Sequence, residues 1–129
     1  MATETVTPAG GTIDDRLLYL TLTGTDDTDG TGSCAIQVKD AAGNNYAGRV
    51  LIHTWIADAE YSEPDAQTDY SVTTGEEMYE TEANADYTAI SDATGLVDMN
   101  IDAGGAKSVY CHAVVNGRIY SSGEIAITA

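Results

Sequence analysis

Two cysteines and two histidines, Cys34, Cys111, His53 and His112, are the side chains in this sequence best suited to nucleophilic chemistry or metal binding. A thiol nucleophile needs an imidazole within hydrogen-bond reach on the same side of its element. Cys111 and His112 are neighbours in an alternating run, residues 109–115, so their side chains leave opposite faces. His53 shares a face with Leu51 and Trp55, where an ordinary, partly buried imidazole is expected. No CxxC or HxxxH spacing is present, which argues against a zinc site.

The acidic residues are the second candidate group. In TDDTDGTGS, residues 25–33, Asp27, Asp29 and Gly30 have part of the spacing of an EF-hand loop. The pattern fails at both ends: Thr25 stands at the first ligand position and Ile36 where a bidentate carboxylate is required. An Asp/Gly turn is the expected structure, with calcium ligation by Asp27 and Asp29 as the alternative use. Glu76-Glu77 and the pair Glu80 and Glu82 have the chemistry for general acid–base work, but they lie in a solvated acidic segment with no aromatic cleft around them. No GxSxG, P-loop, GxGxxG or HExxH motif occurs. The sequence therefore predicts no enzyme and no cofactor.

The elements that position these residues are strands. Val97, Met99 and Ile101 alternate in one run, and Val109, Cys111, Ala113 and Val115 in another; turn residues 92–95, Gly104-Gly105 and Asn116-Gly117 bound them. Period-two alternation between turn signals marks half-buried antiparallel strands, and Asn-Gly is a strong hairpin signal. Further strands are expected at 17–23, 34–40, 49–57, 70–73, 87–90 and 118–129. The run RVLIHTWIA at 49–57 is apolar on both faces, Val50, Ile52 and Ile56 on one and Leu51 and Trp55 on the other. Such a strand needs two covers, the opposing sheet and something else, for which a neighbouring subunit is the expectation. The stretch 76–82 is compatible with a single helical turn, and residues 1–15, small, polar and Gly-rich, with an extended arm that orders only when held.

Composition points the same way. The chain of 129 residues has eight Tyr, one Trp and no Phe, and only two Pro, which with its Thr, Gly, Ala and Val usage favours an all-β domain spanning 16–129. Five Lys and Arg against 21 Asp and Glu give a formal charge of −16, a surface that repels nucleic acid and anionic membranes. Between Val50 and Ala106 there is no Lys or Arg. The first fifteen residues have neither the basic nor the apolar region of a secretory signal, and no run approaches the 18 apolar residues of a membrane span.

Two stretches, VKDAAGNNYAGRVLIHTW at 38–55 and SDATGLVDMNIDAGGAKSVYCHAVVNG at 91–117, resemble the bacterial immunoglobulin-like domains of the invasin and intimin type. That family shows a strand, D-x-x-G-N, a buried strand, a T-D/A-x-G turn, another strand, a Gly turn and a V-x-A-x-V-N-G ending. The resemblance covers roughly residues 17–129 and implies an immunoglobulin-like antiparallel β-sandwich of about seven strands. In such a sandwich Cys34 and Cys111 correspond to strands B and F, with Trp55 between them on a strand like C, the order in which immunoglobulin domains form an inter-sheet disulfide. A protein that matures in a reducing compartment keeps its thiols free, so a bridge and two buried thiols stand as alternatives here.

Family adhesin domains come in tandem arrays behind a signal peptide and an anchor, neither of which is predicted here. Stand-alone domains of this type look like accessory proteins of tailed-bacteriophage virions, made in the host cytoplasm without export. The resemblance thus implies a non-enzymatic virion protein that decorates or stabilises a capsid or tail. Its partners would be capsid or tail proteins of the same virion, met as a homo-oligomer or on a lattice. An adhesive or carbohydrate-binding module, with or without calcium, is the alternative. The interface candidates are Leu17, Tyr19, Leu51 and Trp55 on outer strand faces, and Tyr61 and Tyr79 among the tyrosines interleaved with acids, which suit a wet protein–protein contact.

Overall fold

Alternating apolar side chains can be buried only if two sheets face each other, and that is the arrangement the chain adopts. The structure, a computed structural model, describes residues 18–129. Nine strands follow in order: β1 (Tyr19–Thr28), β2 (Thr31–Lys39), β3 (Leu51–Ala57), β4 (Asp69–Thr74), β5 (Glu76–Glu82), β6 (Asp86–Ile90), β7 (Leu96–Asp102), β8 (Lys107–Val115) and β9 (Arg118–Ile127). They form a four-stranded sheet, β1-β2-β7-β4, and a five-stranded sheet, β5-β6-β3-β8-β9, antiparallel at each pairing.

The fold is an all-β, immunoglobulin-like sandwich with nine strands rather than about seven. The two sheet orders correspond to the layout of a nine-stranded variable-type domain, ABED against GFCC′C″. The path between β3 and β7 differs: the chain crosses to β4 at the edge of the four-stranded sheet before returning as the β5–β6 hairpin. Residues 76–82 are thus a strand, not a helical turn. All seven are exposed, so pairing with β6 rather than burial fixes their conformation.

The acidic segment after Thr25 is likewise strand and hairpin. β1 runs to Thr28 and turns at Asp29-Gly30, both at positive φ, as a two-residue hairpin turn demands. A Cβ on Gly30 would stand 2.7 Å from the Gly105 nitrogen, so only glycine fits there.

The core lies between the sheets. Cys34, Ile36 and Val38 from β2 and Val97, Met99 and Ile101 from β7 meet Ile52 and Ile56 from β3 and Val109, Cys111 and Ala113 from β8. Tyr70 and Tyr87, the other two tyrosines interleaved with acids between residues 58 and 92, are buried in it. The Tyr70 hydroxyl lies 2.6 Å from Thr54 Oγ1 and 3.0 Å from Cys111 Sγ, and Thr54 donates to the His112 carbonyl at 2.7 Å. A chain lacking Phe thus buries a phenol by giving its hydroxyl partners. Cys34 and Cys111 are free, buried thiols rather than a bridge. A hydrogen bond with Cys111, then burial, push the Cys34 thiol's pKa well above its usual value.

Candidate functional site

The outer face of the five-stranded sheet contains most of the candidate residues, and strand register places them. Side chains of β3 alternate between the core (Ile52, Thr54, Ile56) and the outside (Leu51, His53, Trp55). Pairing aligns His53 with Thr88 on β6 and Val114 on β8; Val114 in turn opposes Ile119 on β9, and Thr88 opposes Tyr79 on β5. One row therefore crosses all five strands: Tyr79, Thr88, His53, Val114, Ile119. On one side of it, Leu51 pairs with Ile90. On the other, Trp55 pairs with Asp86 and His112.

These flanks differ in cover. Trp55 is only 9% exposed and His112 is fully buried, because residues 58–65 fold back over them. Trp55 Nε1 donates to the Ser62 carbonyl at 3.0 Å, the Tyr61 backbone N–H donates to His112 Nε2 at 2.8 Å, and Ser121 Oγ donates to Glu60 at 2.7 Å. The rings stack in series: His53 and Trp55 with centroids 5.2 Å apart, Trp55 and His112 4.8 Å apart and near parallel, then His112 and Tyr61 at 5.6 Å. The loop is pinned at its base, where the Asp58 N–H donates to Asp65 Oδ2 at 2.9 Å, the Asp65 N–H donates to the Ile56 carbonyl at 2.9 Å and Lys107 pairs with Asp58 at 2.9 Å. This corrects two expectations: with the loop in place Trp55 is covered rather than open to a partner, and the second cover over its half of β3 comes from the chain itself.

His112 accepts the Tyr61 N–H at Nε2, so its proton sits on Nδ1 as a neutral imidazole. Nδ1 has the Trp55 carbonyl nearby but makes no well-aligned hydrogen bond with it. Burial lowers the pKa of this imidazole, outweighing the contacts with the Trp55 backbone and Glu60 that favour the cation. On the same face, His53 Nε2 donates to Asp86 Oδ1 at 2.6 Å.

The other half has no such cover. Leu51 is 60% exposed, Ile119 52% and Tyr79 67%, with the neighbouring Met78 at 55%. A cleft of about 500 Å³ adjoins it at Leu51 and Ile90, and Leu18, Tyr46, Arg49 and Asn116 complete most of its wall. Ile119 and Val114 are the contributors the sequence reading omits. Their signal was the cross-strand position beside the Asn116-Gly117 turn, which only the β3–β8 register connects to Leu51.

Apart from Tyr61, whose loop lies over this face, the remaining candidates lie elsewhere. Tyr61 is exposed on the loop, Tyr19 is half-buried on β1 of the other sheet, and Leu17 and the arm at 1–15 lie outside the described residues. Asp27 sits at the register shift of β1 and Asp29 at its turn, both exposed. The adjoining Asp26 staples the C-terminal strand's end, accepting from Thr128 Oγ1 at 2.6 Å and from the Thr128 and Thr28 N–H groups. Among the described residues no group of three or more His, Cys, Asp or Glu is placed to hold a metal ion. No protein-family model matches this chain, and no curated protein matches it.

Proposed function

We propose that this protein is a non-enzymatic structural module that attaches to a protein surface through the open half of its five-stranded sheet. The setting we infer is the exterior of a tailed-phage virion, where it decorates or stabilises a capsid or tail. The observation that carries the reading is the exposure of Leu51, Ile119 and Tyr79, with half-buried Val114 on the strand between the first two, beside a region of the same face that the chain covers itself. Exposed apolar side chains on one sheet face with a polar rim suit a protein–protein contact.

The rim suggests the partner's chemistry. Glu76, Glu77, Glu80 and Glu82 line the β5 edge, and a formal charge of −16 makes pairing with a second copy unfavourable at low salt. A capsid or tail surface with an apolar centre and basic surroundings complements it. The setting itself is supported by the invasin-type resemblance and rests on analogy of fold. The test is co-sedimentation of the purified protein with virions of the phage that encodes it. Saturable binding is expected; capture by immobilised glycans with no affinity for the particle would instead establish the adhesive alternative.

A further inference from the structure

We propose that residues 58–65 are a proton-operated lid on this face, and that His112 is the latch. The proposal rests on the reading of the face as a docking surface and adds its regulation. The lid has a hinge and a tip. Its ends are held together by the Asp58 N–H to Asp65 contact, and its tip touches the sheet through the three hydrogen bonds of Glu60, Tyr61 and Ser62.

The tip is strained. Tyr61 has φ of 62°, a left-handed conformation that costs a bulky side chain about 1 kcal/mol or more. That conformation aims its N–H at His112 Nε2, so the contact holds a backbone that would otherwise relax. Protonation of Nε2 turns the acceptor into a donor, and two N–H groups then face each other at a 2.8 Å separation. The closed lid also leaves the imidazolium buried, with the neighbouring Glu60 carboxylate engaged by Ser121.

The sign follows from binding. The closed form holds His112 neutral and binds fewer protons than the open form, so acid favours opening. Closure is complete above about pH 6.5, the usual imidazole value, and is lost as pH falls from there through the lowered value of the closed state. The other titratable and charged groups on this side are Asp58, Glu60, Tyr61, Glu63 and Asp65 on the lid, Lys107 paired with Asp58 at its base, His53 on β3, Asp86 on β6, Tyr110 on β8 and Glu124 on β9. Of these, His53 is the other imidazole of the chain, so its substitution supplies the control. Opening uncovers Trp55 and joins it to the row of His53, Val114 and Ile119, enlarging the docking surface in acid.

Trp55 is the sole tryptophan of the chain, so its fluorescence reports the lid. Acrylamide quenching of the full-length protein is measured at pH 7.5 and pH 5, on either side of the usual imidazole value. A quenching constant at least about twofold higher at pH 5, with far-UV circular dichroism unchanged, is expected of local opening. His112→Gln keeps an acceptor for the Tyr61 N–H without titrating and should abolish the rise; His53→Gln should leave it in place. Glu60→Gln removes the charge that steadies a buried imidazolium in the closed form, so within the acid transition it should raise the open fraction, and the quenching with it. Quenching that does not change with pH, or a rise that persists in H112Q and disappears in H53Q, would overturn the lid. Should H112Q fail to fold, E60Q decides: quenching within the acid transition that lies below the parent's contradicts the proposal. The docking reading fails separately, if binding at pH 7.5 is untouched by charges placed on Leu51 and Ile119.

Discussion

The two halves of one sheet face have similar residue types and opposite fates. Around Trp55 and His112 the chain bends back and covers its own aromatic pair with an irregular loop; around Leu51, Val114 and Ile119 it leaves apolar side chains in water. Both halves are built from the outward-facing positions of β3, β8 and β9, so strand pattern does not separate them. What separates them is a set of polar contacts made at long sequence distance, such as Tyr61 to His112 across 51 residues. Covered apolar area contributes to folding, and uncovered area is available for association.

Substitutions in the two halves should have opposite consequences for stability and association. The largest effect is expected for Trp55→Ala, which removes a buried indole from under the lid and should lower unfolding free energy by roughly 3–5 kcal/mol in urea denaturation. A cost near that of a surface substitution would mean that the lid does not cover this half. His112→Ala comes next: it strips the Tyr61 N–H of its acceptor and the Trp55 ring of its stacking partner, for a loss of about 1–3 kcal/mol by the same measurement.

A pH series sharpens the contrast without a change of sequence. Because burial lowers the His112 pKa, the unfolded chain binds the proton first, and stability should decline as pH falls below about 6.5, by at most about 1.4 kcal/mol per pH unit for one group. H112Q should flatten that limb. Asp26, held low chiefly by Thr128, and Asp92, held low chiefly by Thr94, add stability that is lost only in stronger acid, below the usual carboxylate range near 3.8. The smallest effects belong to the open half, where Leu51→Ala and Ile119→Ser should stay within about 0.5 kcal/mol of the parent.

The sequence made much of the sandwich legible and little of this asymmetry. The alternation in β7 and β8, the Asn116-Gly117 hairpin and the two-faced character of β3 are local signals, and each corresponds to what the structure contains. The need for a second cover over Trp55 was readable too, but its source was not. A loop such as 58–65 has no periodicity, and a strained Tyr61 is held by contacts that composition does not encode. The strand at β5 was hidden for the converse reason: Glu76–Glu82 is exposed throughout and has no buried face to mark it. The tyrosines illustrate both limits. Tyr70 and Tyr87 look like Tyr61 and Tyr79 in an acidic segment, yet register sends the first two into the core and Tyr79 into solvent, while Tyr61 is exposed on the loop.

The central claim is that the open half docks and the covered half folds. It is tested most directly by a co-sedimentation titration of L51E/I119E against virions at pH 7.5, beside the parent protein and with melting curves of both. The account predicts an unchanged melting transition and an affinity at least about tenfold weaker, a difference of some 1.4 kcal/mol. A double variant that melts with the parent and binds the particle equally well would contradict it.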